Sequence, residues 1–482
     1  MMNTAANTRY TVTGVLAAGA AASALFAGAA LGSAPTANAS CASFFGLGNS
    51  ADCSSTPLSI AIAVGNGATA HASGLFGGAF AVGTNAAATT GDAFTFATAA
   101  GDGSVATANG VFGIATQLGP NGTAITQGSG MLGNLGFNIA TNITPLNSAA
   151  SGSTVTAGGT GGAGNIATNL FGGASAANKM NVTSQGFLNI ATNVGGRDNL
   201  IASGDAANSS IINLATNLFG SNNTVSAQGG ISNWATNLFG DNNMVTTVGS
   251  LVNTASNLFG SNNTVQTLGG YANWGRNILG NGNTVTITGG YANAVRNLFG
   301  NNNTVTTNGG NGNLAQNWFG AGNAVTITGG IYNTASNLLG GNGNTLESQG
   351  GYQNAVYNIV GSNNTLTVGG AGSNYNVALN ALSGGNHVTA GGTGGNFTAG
   401  FNFAGGTNTV TAGPGPLVLA GTIFTNGATV TKQTTGIAIN NFRVGGAQAT
   451  AGASSNAPAA KANDTGKKSV KAGTGGSARG NR

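Results

Sequence analysis

From Asn213 onward the chain returns to almost the same letters about every 20 residues: NLFGSNNTV from Asn217, NLFGDNNMV from Asn237, and NLFGSNNTV again from Asn257. A strict short period constrains a fold more tightly than composition does, because every unit must make the same contacts. The anchor asparagine of each unit falls at Asn217, Asn237, Asn257, Asn277, Asn297, Asn317 and Asn337, and after an insertion near Gly341 at Asn358, Asn380 and Asn402. NIATN at Asn138, Asn165 and Asn189 is a looser upstream copy, and GIATQ at Gly113 a decayed one. Slots 213, 215, 217 and 219 hold Asn, a small residue, Asn and an apolar residue, whereas slots 214 and 216 vary freely. In the second half Asn223 and Val225 recur while their neighbours change. Constraint at every second position marks a strand with one buried face. Each unit therefore reads as two short strands joined by Gly-Ser-Asn and Gly-Gly turns, with slot 219 expected on the buried face.

One such unit cannot bury its face alone; successive units stacked as coils can, rising about 4.8 Å per coil. Equivalent asparagines then lie above one another, and each amide can donate to the carbonyl of a neighbouring coil, as in cross-β stacks. That arrangement spares a buried amide a penalty of about 1–3 kcal/mol. The expected fold is an all-β β-solenoid, or β-helix, of coils of about 20 residues with asparagine ladders. About sixteen coils would make a rod of roughly 75 Å. With 87 glycines, many alanines and 6% aromatic residues, the chain suits a thin stacked interior better than a bulky layered core.

The organisation expected is a signal peptide at 1–39, a disulfide loop and cap at 40–57, the solenoid at 58–412, a C-terminal β cap at 413–446 and a disordered basic tail at 447–482. Arg9 precedes the apolar run from Val15 to Gly32, and the A-x-A site at Ala37 to Ala39 places cleavage before Ser40; an uncleaved membrane anchor is the alternative. In an exported chain the two cysteines, Cys41 and Cys53, are expected to pair. GPGPLVLAGTIF, from Gly413, breaks the repeat and opens the expected cap. The net charge of +5 is concentrated in Lys461, Lys467, Lys468, Lys471, Arg479 and Arg482, which makes a basic tail and not a nucleic-acid-binding face.

Little in the sequence points to catalysis. The acids do not recur at the coil period, although Asp198 and Asp205 could approach across a turn; His71 and His387 are far apart in the chain. The repeat carries no aspartate of the calcium-binding kind, and GGTGGAGN from Gly158 lacks the lysine of a phosphate loop. No catalytic, cofactor or metal residues are assigned, and no cofactor is expected. Three outward features could bind a partner. Trp234 and Trp274 share a variable slot, Arg276 and Arg296 share another, and Thr-x-Thr recurs at 284–286, 304–306, 365–367 and 409–411 with interruptions such as Met244 and His387. Local packing of the aromatics and the ordinary preference of threonine for strands are the simpler readings.

The signal sequence, the Gly/Ala/Asn bias and the N-x-A-x-N-[LF]-F-G…N-N-T-V units resemble exported repeat proteins of mycobacteria. GGTGGAGN is similar to the glycine-rich repeats of the PE-PGRS group, and GPGPLVLAGTIF…GIAINNFRVGG resembles a C-terminal block of secreted proteins from the same bacteria. The chain departs from PE and PPE proteins in beginning with a cleavable-type signal instead of their helical domain. The resemblance implies a secreted or cell-surface protein with no catalytic residues to carry over. The expected function is a non-enzymatic envelope structural or adhesin-like protein whose partners are envelope or host glycans or proteins. Nucleic acid is not an expected partner, and membrane contact is expected only through an uncleaved signal segment. The alternatives are a soluble glycan- or ice-binding module and a polysaccharide-cleaving enzyme.

Overall fold

The computed structural model describes residues 40–129, 136–145, 152–160, 162–175, 180–205, 210–445 and 451–453. The export segment expected at 1–39 and most of the tail expected at 447–482 lie outside the described residues. All described regular structure is β. Each coil gives one strand to each of two parallel stacks. The first sheet holds Leu214–Leu218, Trp234–Phe239 and Thr254–Phe259, and the second holds Thr224–Gln228, Met244–Val248 and Thr264–Leu268. Equivalent slots pair directly, Ala215 with Ala235 and Asn217 with Asn237 in the first sheet, and Val225 with Val245 in the second.

The β-solenoid has about 18 turns, so a rise of about 4.8 Å gives a rod of roughly 85 Å. It exceeds the expected sixteen coils for two reasons. The N-terminal coils are shorter, since 18 residues separate Thr84 from its partner one coil on, Asp102, against 20 from Asn217 to Asn237. The stack also runs beyond residue 412: Val418–Ile423 pairs in parallel with Thr398–Phe403, Ala428–Lys432 with Thr409–Ala412, and Gly436–Ile439 with Val418–Ile423. Only then does the topology change, with Phe442–Val444 folding back antiparallel and Ala451–Ala453 pairing antiparallel with Ala428–Val430. Lys432 occupies the inward slot of Ala412, is 1% exposed, and donates to the carbonyl of Gly445 at 2.8 Å. Its ammonium thus closes the end of the core. At the other end Ser40–Phe44 runs antiparallel to Ile60–Val64, and a disulfide joins Cys41 to Cys53.

The core is a thin seam between the sheets. Alanine columns line the first sheet, among them Ala215, Ala235 and Ala255, and Val225, Val245 and Val265 line the second. Three ladders of buried asparagine flank this seam. In the ladder of the anchor slot, each Nδ2 donates to the Oδ1 one coil before: Asn237 to Asn217, Asn257 to Asn237, Asn277 to Asn257 and Asn297 to Asn277, all at 2.8 Å. Asn317 and Asn337 continue it at 2.9 and 2.7 Å. In the other two ladders the side chain grips the following coil's backbone. Asn243 donates to the carbonyl of Gly260 at 2.8 Å and accepts the N–H of Asn263 at 2.9 Å. Asn253 does the same with Gly270 and Asn273, both at 3.0 Å. Stacking supplies these amides with the partners that burial demands, the Nδ2 of Asn223 being an exception. The ladders end where an amide is lacking, at Thr398, Thr422 and Ala428.

Candidate functional site: the outward faces of the rod

One residue expected inside lies outside. Phe219 is 50% exposed, because the strand ends at Leu218 and the chain turns there through a left-handed backbone, φ 58°. The column constancy at this slot reflects stacking, not burial. Phe219, Phe239 and Phe259 pack face to face along the corner with ring centroids 5.6 and 5.2 Å apart. A second apolar row borders the other edge of the first sheet, where Ile231, Leu251, Tyr271 and Tyr291 bridge coil to coil. Between these rows the first sheet carries two outward rows rich in bulky apolar residues, with Leu214, Trp234 and Trp274 in one and Leu238, Leu258 and Trp318 in the other, on either side of a polar row of Thr216, Thr236, Ser256, Arg276, Arg296 and Gln316. Sequence reasoning placed Trp234 and Trp274 in one shared outward slot but missed the apolar rows that border the sheet. The signal present was a bulky apolar residue repeating beside each glycine turn.

Trp234 and Trp274 lie two coils apart with Thr254 between them. Arg276 and Arg296 are adjacent partners in the next outward row, and the Arg296 guanidinium sits 4.5 Å from the Trp274 ring centroid, with that of Arg276 at 5.9 Å. Stacking on the indole face is the favourable arrangement for a guanidinium. The structure thus joins Trp274, Arg276 and Arg296 into one cluster and leaves Trp234 apart.

The second sheet faces outward with short polar residues. Thr284 and Thr286 pair with Thr304 and Thr306, and Ala324, Glu347 and His387 interrupt the rows further along. The acidic groups are dispersed, and several aspartates staple turns: Asp198 accepts the N–H of Ser175 at 2.6 Å, and Asp241 that of Ser221 at 2.6 Å. Asp198 and Asp205 stand at opposite ends of the strand Leu200–Ser203, so the approach considered for them does not occur. Among the described residues no cluster of three His, Cys, Asp or Glu assembles.

Comparison with protein-family models, with curated proteins and with solved structures returns no match.

Proposed function

We propose that the protein is a non-enzymatic, exported repeat protein of the cell envelope, structural or adhesin-like, whose working parts are its long outward faces. The observation that carries this reading is the register of those faces: outward slots line up coil after coil along the rod, as in the parallel pairs Thr284–Thr304 and Arg276–Arg296. A surface of that kind engages partners by many weak contacts combined, and linked weak sites gain avidity without any one deep pocket. Envelope or host glycans and proteins are the partners proposed. Protease shaving of intact producing cells, with the medium assayed in parallel, tests this. Repeat fragments released from cells support it, and full-length chain found only in the medium overturns it.

The threonine rows of the second sheet favour a second reading, a soluble ice-binding module. Thermal hysteresis in the purified protein is its test, and no hysteresis removes it. Glycan binding is tested by substituting Trp234 and Trp274, which should abolish it if the exposed rings carry the contact.

A further inference from the structure

The left-handed backbone positions of the coil divide by the sheet they adjoin. Where the chain enters the second sheet, they hold Asn222, Asn242, Asn262, Gly282, Asn302 and Gly322, residue types that tolerate positive φ. Where it enters or leaves the first sheet, many hold bulky apolar residues instead, such as Phe94, Ile212, Phe219, Val252, Tyr332 and Phe397, with φ between 54° and 60°. A β-branched or bulky residue at positive φ is a true outlier and costs of the order of 1–2 kcal/mol per residue. These side chains still leave 41% to 58% of their surface to solvent, even where they stack on rings in adjoining coils as Phe94 does on Phe76 and Phe112, so contacts within the rod offset that cost only in part. Strained, exposed apolar side chains along both borders of one face indicate that the face is covered in use.

We propose that the first-sheet face is a lipid-contacting surface, by which the rod lies flat on an anionic lipid layer. Three observations select this occupant. First, among the described residues no strand of the first sheet contains an acidic residue, and apart from Arg443 in the terminal hairpin the only charged residues of those strands are Arg276 and Arg296. Second, all 3 tryptophans of the chain, Trp234, Trp274 and Trp318, lie on this face, where an amphipathic ring meets both acyl chain and headgroup. Third, the strand N–H and C=O groups are paired coil to coil, so the face can meet an apolar medium without stranding backbone polar groups. A second copy of the chain fits less well. It would press both arginines against a face with no carboxylate to receive them, whereas anionic headgroups supply the missing charge. This inference stands independently of the adhesin reading.

The test uses the full-length protein and its own tryptophans. Vesicles of phosphatidylglycerol are compared with vesicles of phosphatidylcholine, each with and without bromine on the acyl chains. Binding to the anionic vesicles, with a blue-shifted emission quenched by the brominated lipid, is the expected result. R276Q/R296Q should lower the partition coefficient about 25-fold, from about fivefold per arginine, and high salt should act in the same direction. T286K/T306K, on the other face, controls for the effect of added charge on folding and should bind no more weakly than the parent. Absence of vesicle binding overturns the proposal, as does binding that leaves the tryptophans unquenched. Lipid-independent self-association in ultracentrifugation that buries the tryptophans also overturns it, in favour of a second copy.

Discussion

The first coils of the rod and its middle share one backbone but are keyed differently. In the coils whose first-sheet strands run from Ile60 to Ala100 the inward positions are alanine pairs, Ala61 with Ala63, Ala79 with Ala81 and Ala97 with Ala99. Their buried hydroxyls bond locally, as Thr95 does to Asp92 and Ser104 to Gly101. From Asn142 to Asn402 the second inward position is asparagine, bonded to its equivalent in the adjoining coil. The coil lengthens from 18 residues to 27 between Asn142 and Asn169, then settles at 20 from Asn217 to Asn237 and 22 from Asn358 to Asn380, and the opposite wall grows from Ala70, Ala88 and Ala106 to Val225, Ile287 and Leu346. An alanine column looks the same to its neighbour after a two-residue slip, so it specifies register weakly. An asparagine column does not, because a slip sets each amide against a methyl group. The alanine coils rely on other fasteners: the disulfide of the adjoining cap, and carboxylates that cross between coils, Asp92 to the N–H of Gly110 and Asp102 to that of Thr84.

The largest effect should come from breaking the middle of the ladder. Asn257→Ala strands the Nδ2 of Asn277 and the Oδ1 of Asn237 and should cost about 3–5 kcal/mol. Hydrogen exchange should show protection lost in the coils either side of residue 257 and kept in the alanine coils, since repeats couple chiefly to their neighbours. Cys41→Ser with Cys53→Ser opens a loop of sequence separation 12 and should remove roughly 3 kcal/mol. Limited proteolysis should then cut first near the cap, leaving the asparagine coils intact. Ala97→Val should cost about 1–3 kcal/mol by overpacking the narrow end, while Ala315→Val should cost under about 1 kcal/mol. The wider coils already hold Val295 and Val356 at the equivalent slot, and thermal denaturation of the two variants compares them directly. The smallest effect is Asp102→Ala, which removes one exposed staple at under about 1 kcal/mol and should appear only as faster exchange at Thr84.

What was legible in the sequence follows from what stacking constrains. The anchor ladder was readable because an amide bonded to its own equivalent admits few substitutes. The columns of Asn213 and Asn223 were visible as fixed slots, but their grip on the next coil's backbone was not, since backbone partners leave no letter. Phe219 shows the limit: a residue that stacks on its own kind repeats whether it faces the core or solvent. The C-terminal boundary was placed too early for a related reason. Thr422 and Ala428 interrupt the asparagine columns, yet the strands around them pair as before. The acid-free apolar face was illegible because it depends on which corners the chain turns through, not on any one column.

The ladders also give the rod a direction. In the anchor column the amides donate to the coil before them, and in the other two the side chains bond the backbone of the coil after them, some also donating back, as Asn364 does to Asn344. A chain that emerges N-terminus first thus lays each new coil on a finished one that already displays its acceptors, beginning from the coil locked by Cys41 and Cys53. At the far end Thr398, Thr422 and Ala428 offer no side-chain amide to a newcomer. One further strand, Gly436–Ile439, still stacks in parallel there, and the antiparallel Phe442–Val444 then covers its edge, so a newcomer meets neither a ladder nor an open parallel strand of the first sheet.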